Sequence, residues 1–85
     1  MTLTVLILAK NEETNIWACI ESVLFADEII VIDDFSTDRT AEIARSLGAK
    51  VVQRAMEGNW GEQQTFAIKQ AASQWVYFID ADERM

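Results

Sequence analysis

Apolar residues in this chain fall into short β-branched runs that alternate with longer stretches of helical periodicity. Leu3 to Leu8 is apolar apart from Thr4, so an extended segment there would bury both faces, which predicts a central strand. After Lys10-Asn11-Glu12-Glu13, apolar residues recur at Ile16, Cys19, Ile20, Val23 and Leu24, the spacing of a helix, and Glu12 and Glu13 suit its positive end. Glu28 to Ile32 predicts a second strand. The polar run from Asp33 to Asp38 then supplies turn and capping side chains for a helix over about Arg39 to Leu47. Gly48 is placed to stop that helix, and Ala49 to Gln53 predicts a third, shorter strand. A Gly-containing loop around Gly58 and Gly61 leads into a third helix over Glu62 to Ala72, and Trp75 to Ile79 predicts a fourth strand that runs directly into Asp80-Ala81-Asp82-Glu83.

The resulting order is β-α-β-α-β-α-β. Right-handed crossovers of this kind predict an α/β fold: an open parallel sheet with helices on both faces, a three-layer, Rossmann-like arrangement. No internal repeat or low-complexity linker divides the chain, and its 85 residues are one small domain or a piece of one. A chain of this size buries only roughly 60–65% of its unfolded surface, so a thin core is expected.

Composition narrows the function classes. A formal charge of -7, from 14 acidic against 7 basic residues with no basic run, makes nucleic acid a poor partner. A single cysteine, Cys19, and no histidine exclude an intramolecular disulfide, a zinc cluster, and Ser-His-Asp or Cys-His catalysis within these residues. Cys19 lies on the apolar helix face and reads as a buried thiol rather than a nucleophile. Neither a signal peptide nor a membrane-spanning run is visible, so the expected location is cytoplasmic, with peripheral attachment at the inner face of the membrane open to the complete protein.

In an open α/β sheet, ligands bind outside the carboxyl ends of the strands, where strand order reverses. Three polar clusters fall there: Lys10-Asn11-Glu12, Asp33-Asp34 and Asp80-Asp82-Glu83. Asp80 and Asp82 are two residues apart and would share a face of an extended segment, so they can converge on Mg²⁺ or Mn²⁺; a solvated acidic turn is the plainer reading. Asp34 can accept from a base N–H or a ribose hydroxyl, with Asp33 positioning the turn; alternatively, both stabilise the opening of the next helix. Asn11 either touches a base or satisfies backbone groups, and Glu12 either orients Lys10 or Arg39 or simply serves a helix end. Lys10 and Arg39 read either as counter-ions for carboxylates or phosphate or, more plainly, as solvated surface pairs, whereas Arg54 and Arg84 flank the proposed cleft. The segment Gly58 to Gln64 offers amides to a nucleotide or sugar, but it has neither the GxxxxGK[ST] nor the GxGxxG pattern. Trp17 is expected to pad the first helix and Trp75 to pack at the start of its strand. Trp60 either covers a ligand or anchors its loop.

The segments VLILAKNEETNIWACIESVLFADEIIVIDDFSTDRTAEIA and GNWGEQQTFAIKQAASQWVYFIDADERM together resemble the amino-terminal part of the family 2 glycosyltransferases with a GT-A fold. The NEE start, the DEI-IVID segment and the DADE terminus are most similar to bacterial lipopolysaccharide-core β-glucosyltransferases. The resemblance spans essentially all of the chain and implies a strand order of 3-2-1-4. It also implies that residues 1–85 are the nucleotide-sugar-binding front of a larger domain. Residue by residue, it implies donor-binding roles for Asn11, Glu12, Asp33, Asp34, Gln63, Gln64, Asp80 and Asp82. Asp34 would recognise uracil, and Asp82, with Asp80, would hold the divalent ion. The implied reaction is transfer of a sugar from a UDP-sugar such as UDP-glucose to a glycan or lipopolysaccharide-core acceptor with inversion, the general base lying beyond Met85, so these residues alone are expected to be inactive. Two other classes fit the residues: a nucleotide-binding or regulatory module without transferase activity, and an interaction domain that self-associates through the exposed edge of its last strand.

Overall fold

A computed structural model of the chain describes residues 2–55, 65, 68–69 and 75–81. Strands β1 (Leu3–Ala9), β2 (Glu28–Asp33), β3 (Lys50–Gln53) and β4 (Trp75–Asp80) form one sheet in the order β3-β2-β1-β4. Every pairing is parallel. The predicted strand order and three-layer α/β class are those observed. Helices α1 (Ile16–Ser22) and α2 (Thr40–Ser46) connect the first three strands. The predicted third helix falls largely outside the described residues; within it, Thr65, Ile68 and Lys69 are helical.

β1 occupies the sheet centre because its sequence allows nothing else: Thr4 to Ala9 are all buried. Its alternate side chains serve two cores. Val5, Ile7 and Ala9 join Val31 and Ile79 beneath Ile16, Cys19, Ile20 and Val23 of α1 and its end, with Ala44 of α2. Leu6 and Leu8 join Ile30 and Ile32 on the opposite face, with Val52, Val76 and Phe78 packed against them. A continuous apolar run thus divides by its period of two into halves of separate cores.

Both described helices end for local reasons. Gly48, at φ +92°, follows α2; its N–H donates to the Arg45 carbonyl (3.0 Å) and the Ala49 N–H to that of Ala44 (3.2 Å). This is the paired bonding of a Schellman stop, as the glycine predicts. α1 is shorter than its apolar periodicity suggests, because the chain has left the helix by Val23. Leu24, expected on the buried face, is therefore 52% exposed.

Two tryptophans depart from expectation. Trp17 is 54% exposed, since it lies about 100° around the helix from Ile16 and misses the Ile16/Cys19/Ile20 stripe. Trp75 is 58% exposed, because it opens β4, the outer strand beyond β1. Among the described residues no helix is long and apolar enough to cross a membrane.

The two-sided core predicts that Ile30→Ala, at a position with no exposure, lowers unfolding free energy by about 2–5 kcal/mol. Trp17→Ala should change it by no more than about 0.5 kcal/mol despite removing the larger side chain. Urea denaturation followed by far-UV circular dichroism measures both.

Candidate functional site

The parallel register aligns the carboxyl ends of three strands. Ala9 of β1 pairs with Asp33 of β2, and Leu8 pairs with Asp80 of β4. Backbone bonding continues past the strands, from the Asp34 N–H to the Ala9 carbonyl (2.9 Å) and from the Ala81 N–H to the Leu8 carbonyl (3.1 Å). Asp33-Asp34 and Asp80 therefore flank the Lys10-Asn11-Glu12 loop along one sheet edge. β1 and β2 grow the sheet toward β3 while β4 lies on the other side of β1, so this edge holds the reversal of strand order that marks ligand clefts.

The β1–α1 loop is tied to the β2–α2 loop by two relays of the same design. The Asn11 N–H donates to the Ser36 hydroxyl oxygen (2.8 Å), and that hydroxyl donates to Asp33 Oδ1. The Glu12 N–H donates to the Thr40 hydroxyl oxygen (2.8 Å), and that hydroxyl donates to Asp38 Oδ1. A further bond runs the other way: Asn11 Oδ1 accepts from the Thr37 N–H (2.7 Å). The Glu13 N–H closes the seam on Asp38 Oδ2 (3.2 Å).

This seam accounts for several predicted residues. Asp33 is 1% exposed, and besides the hydroxyl bond it accepts the Ser36 N–H (3.1 Å). Asn11 is held at φ +52°, a region that asparagine tolerates better than most residues. Glu12 Oε1 accepts from Asn15 Nδ2 (3.2 Å), and its carbonyl accepts the N–H groups of Asn15 and Ile16 (2.9 and 2.8 Å) at the entry to α1. It thus serves the helix entry, the plainer of its two readings. Asp34 is different: its side chain retains 16% exposure and its Oδ2 lies 3.9 Å from Lys10 Nζ. Arg39 pairs with Glu42 at 3.0 Å, which raises its pKa through that hydrogen bond. Lys10 and Arg39 are thus the surface pairs expected of them.

Asp80 is exposed at the end of β4, and its carbonyl lies 3.7 Å from the Sγ of Cys19, which is fully buried as expected. Asp82, Gln63, Gln64 and Trp60 lie outside the described residues. Among the described residues no three acidic, cysteine or histidine side chains converge as a metal cage. The donor chemistry nevertheless fits Mg²⁺ or Mn²⁺. Such ions use hard oxygens, and Mg²⁺ is commonly held by one or two carboxylates with the substrate's phosphates completing the shell, which an exposed strand-end aspartate can serve.

Reading the sequence alone missed Ser36, Thr37, Asp38 and Thr40 as the residues that join the loops. The signal was present in S-T-D-R-T, where three hydroxyls and an acid follow a strand, but that pattern reads as a local cap. Its principal partners lie some 25–28 residues away. Local capping does occur: the Thr40 N–H donates to Asp38 Oδ1 (2.9 Å).

A parallel sheet with acids and an amide gathered at its switch point is the arrangement at which open α/β sheets take ligands, and comparisons narrow the class. The glycosyl transferase family 2 pattern matches residues 4–85, and the chain belongs to that family. It is 46% identical over 80 residues to an uncharacterized glycosyltransferase of Rickettsia typhi, covering 93% of this chain and 27% of that protein. With the lipopolysaccharide core biosynthesis glycosyltransferase LpsC of Rhizobium meliloti it shares 37% identity over 89 residues, which takes in 100% of this chain and 33% of that one. The chain therefore spans about a quarter to a third of the length of these relatives.

Solved structures agree on the GT-A arrangement. Glucosyl-3-phosphoglycerate synthase from Mycobacterium tuberculosis, in complex with Mn²⁺, UDP and glucosyl-3-phosphoglycerate, superposes with a TM-score of 0.81 at 30% identity, covering 98% of this chain and 35% of that one. TarS of Staphylococcus aureus gives a TM-score of 0.84 at 32% identity, covering 99% and 28%.

The relays make two predictions. Thr40→Val preserves shape but strands the Glu12 N–H and removes a donor to Asp38, so it should cost about 1–3 kcal/mol in chemical denaturation. The second concerns pH. Partial desolvation raises the Asp38 pKa, but hydrogen bonds from the Thr40 hydroxyl, the Thr40 N–H and the Glu13 N–H outweigh it and hold the carboxyl below its ordinary value. A depressed folded-state pKa contributes stability that is fully present above the unfolded value and lost as pH falls through the folded one. Asp38→Asn should therefore lose less Tm than the wild type between pH 7 and pH 3 in thermal melts.

Proposed function

We propose that this chain is the donor-binding part of a glycosyltransferase that uses a UDP-sugar, such as UDP-glucose, with Mg²⁺ or Mn²⁺. In the complete protein the sugar passes to a glycan or lipopolysaccharide-core acceptor with inversion. The observation that carries this reading is the alignment of Asp33-Asp34 and Asp80 on either side of the Lys10-Asn11-Glu12 loop at the switch point. The relatives add support: the mycobacterial synthase binds UDP and Mn²⁺ in one solved complex and UDP-glucose and Mn²⁺ in another. The 37% identity to LpsC favours a lipopolysaccharide-core acceptor among glycans.

Each residue then has a task. Asp34 accepts the single N–H of the uracil edge, and Asp33 holds the turn that presents it. Asn11 and Glu12 form the adjoining wall through their bonds to the β2–α2 loop. Gln63 and Gln64 border the donor. Asp82 and Asp80 hold the divalent ion, which when bound offsets the charge of the departing diphosphate. An acceptor hydroxyl also needs a general base, which we assign to the part of the protein beyond Met85.

Calorimetric titration with UDP, with and without Mn²⁺, tests the donor site. Mn²⁺ should strengthen UDP binding, and Asp34→Ala and Asp82→Ala should each weaken it about ten- to hundredfold, the worth of a lost hydrogen bond or ion contact to a charged group. Binding unchanged in both variants would sink the assignment. Product analysis with the full-length protein separates a transferase from a binding-only module, since only the transferase releases UDP as the acceptor gains a sugar.

A further inference from the structure

Phe35 breaks a rule that its neighbours keep. It sits at φ +45°, a left-handed conformation that is an outlier for a bulky side chain, and it is 59% exposed. The other non-glycine residue with positive φ among those described is Asn11, whose carboxamide repays the strain by accepting the Thr37 N–H. A phenyl ring has no polar group to do the same, and a ring this exposed gains little from burial. The conformation itself is imposed from outside: Asp33 holds Ser36 by two bonds and Asn11 holds Ser36 and Thr37, which fixes the backbone on the far side of Phe35. Glycine would meet that backbone demand with no strain. Strained, exposed aromatic residues that the fold does not require are expected at ligand sites.

Phe35 directly follows Asp34 at the switch-point edge. We propose that Phe35 is a specificity-determining residue for the donor, packing its ring against the flat face of the nucleobase whose edge Asp34 reads. This inference rests on the UDP-sugar reading above and deepens it. A carboxylate distinguishes bases by their edge N–H groups, whereas an aromatic ring adds affinity through the π-face. Together, two adjacent residues would separate a nucleoside diphosphate from a bare diphosphate.

The test titrates wild type, Phe35→Gly and Phe35→Trp with UDP and, separately, with inorganic pyrophosphate, each in the presence of Mn²⁺. Phe35→Gly should weaken UDP binding roughly five- to hundredfold, the range for losing one base–aromatic contact, while changing pyrophosphate affinity less than about twofold. Its Tm should equal or exceed that of the wild type, because the left-handed strain is gone. Phe35→Trp should keep UDP affinity within about threefold. Equal loss of UDP and pyrophosphate, or a lowered Tm accompanying the loss, would assign the ring to loop structure and overturn the proposal. Wild-type UDP binding that survives unchanged in Phe35→Gly overturns it while leaving the UDP-sugar reading standing. A folded wild type that binds pyrophosphate no more weakly than UDP overturns both.

Discussion

The constraint on which the candidate site depends is the pinning of two neighbouring strand-end loops by hydroxyl relays. In a parallel sheet, each strand delivers its chain to the carboxyl edge with backbone groups that no further strand can pair. Here the Asn11 and Glu12 N–H groups end on Ser36 and Thr40, and each hydroxyl in turn donates a hydrogen bond to an aspartate. The terminal acceptors are carboxylates, so each relay ends in a charge-assisted bond, stronger than a neutral one. Thr40 has no exposure and Asp33 almost none, so neither could be accommodated without this pairing. The relays also set the geometry of the cleft wall, since Ser36 and Thr37 both bond Asn11 at its left-handed turn.

That wall stands on a sheet of graded burial. β1 is enclosed from Thr4 onward and β2 from Ile30 onward, whereas β3 and β4 are partly exposed along their lengths. Rigidity is thus greatest beneath the Lys10-Asn11-Glu12 and Asp33-Asp34 loops, where a ligand's orientation would be fixed. Asp80 leaves from an outer strand instead, although its register with Leu8 and the Ala81 bond to the same residue tie it to the central strand. With the roles proposed above, the base-recognising acid would come from a buried strand and the metal-holding acid from an outer one, which would keep the nucleoside end fixed while the phosphate end adjusts.

Much of this was legible in the residues. Apolar runs located every strand to within a residue, because a buried parallel strand needs little beyond continuous β-branched sequence. Gly48 announced its helix stop because only one residue type suits φ +92°. What could not be read depended on partners distant in sequence. The S-T-D-R-T run carries its meaning only when Asn11 and Glu12 lie beside it. Trp17 and Trp75 look like core residues by type, yet helix phase decides the first and strand position decides the second. Phe35 gave no local signal at all, since its strain arises from bonds made by its neighbours.

The adjacent acids Asp33 and Asp34 show how the fold divides labour between chemically identical side chains. Asp33 ends β2, is almost fully buried, and spends both oxygens on the N–H and hydroxyl of Ser36. One residue on, Asp34 has its backbone N–H committed to Ala9 but keeps its carboxylate partly in solvent, 3.9 Å from a lysine whose own side chain is 62% exposed. Such a long surface pair is worth at most about 1 kcal/mol, so a ligand that offers Asp34 an N–H donor displaces Lys10 at little cost. Removing Asp33 would instead open the turn that carries Asp34. In the proposed donor site the first acid would therefore act on a ligand only through the second, and which of the two is buried follows from its place at the end of the strand.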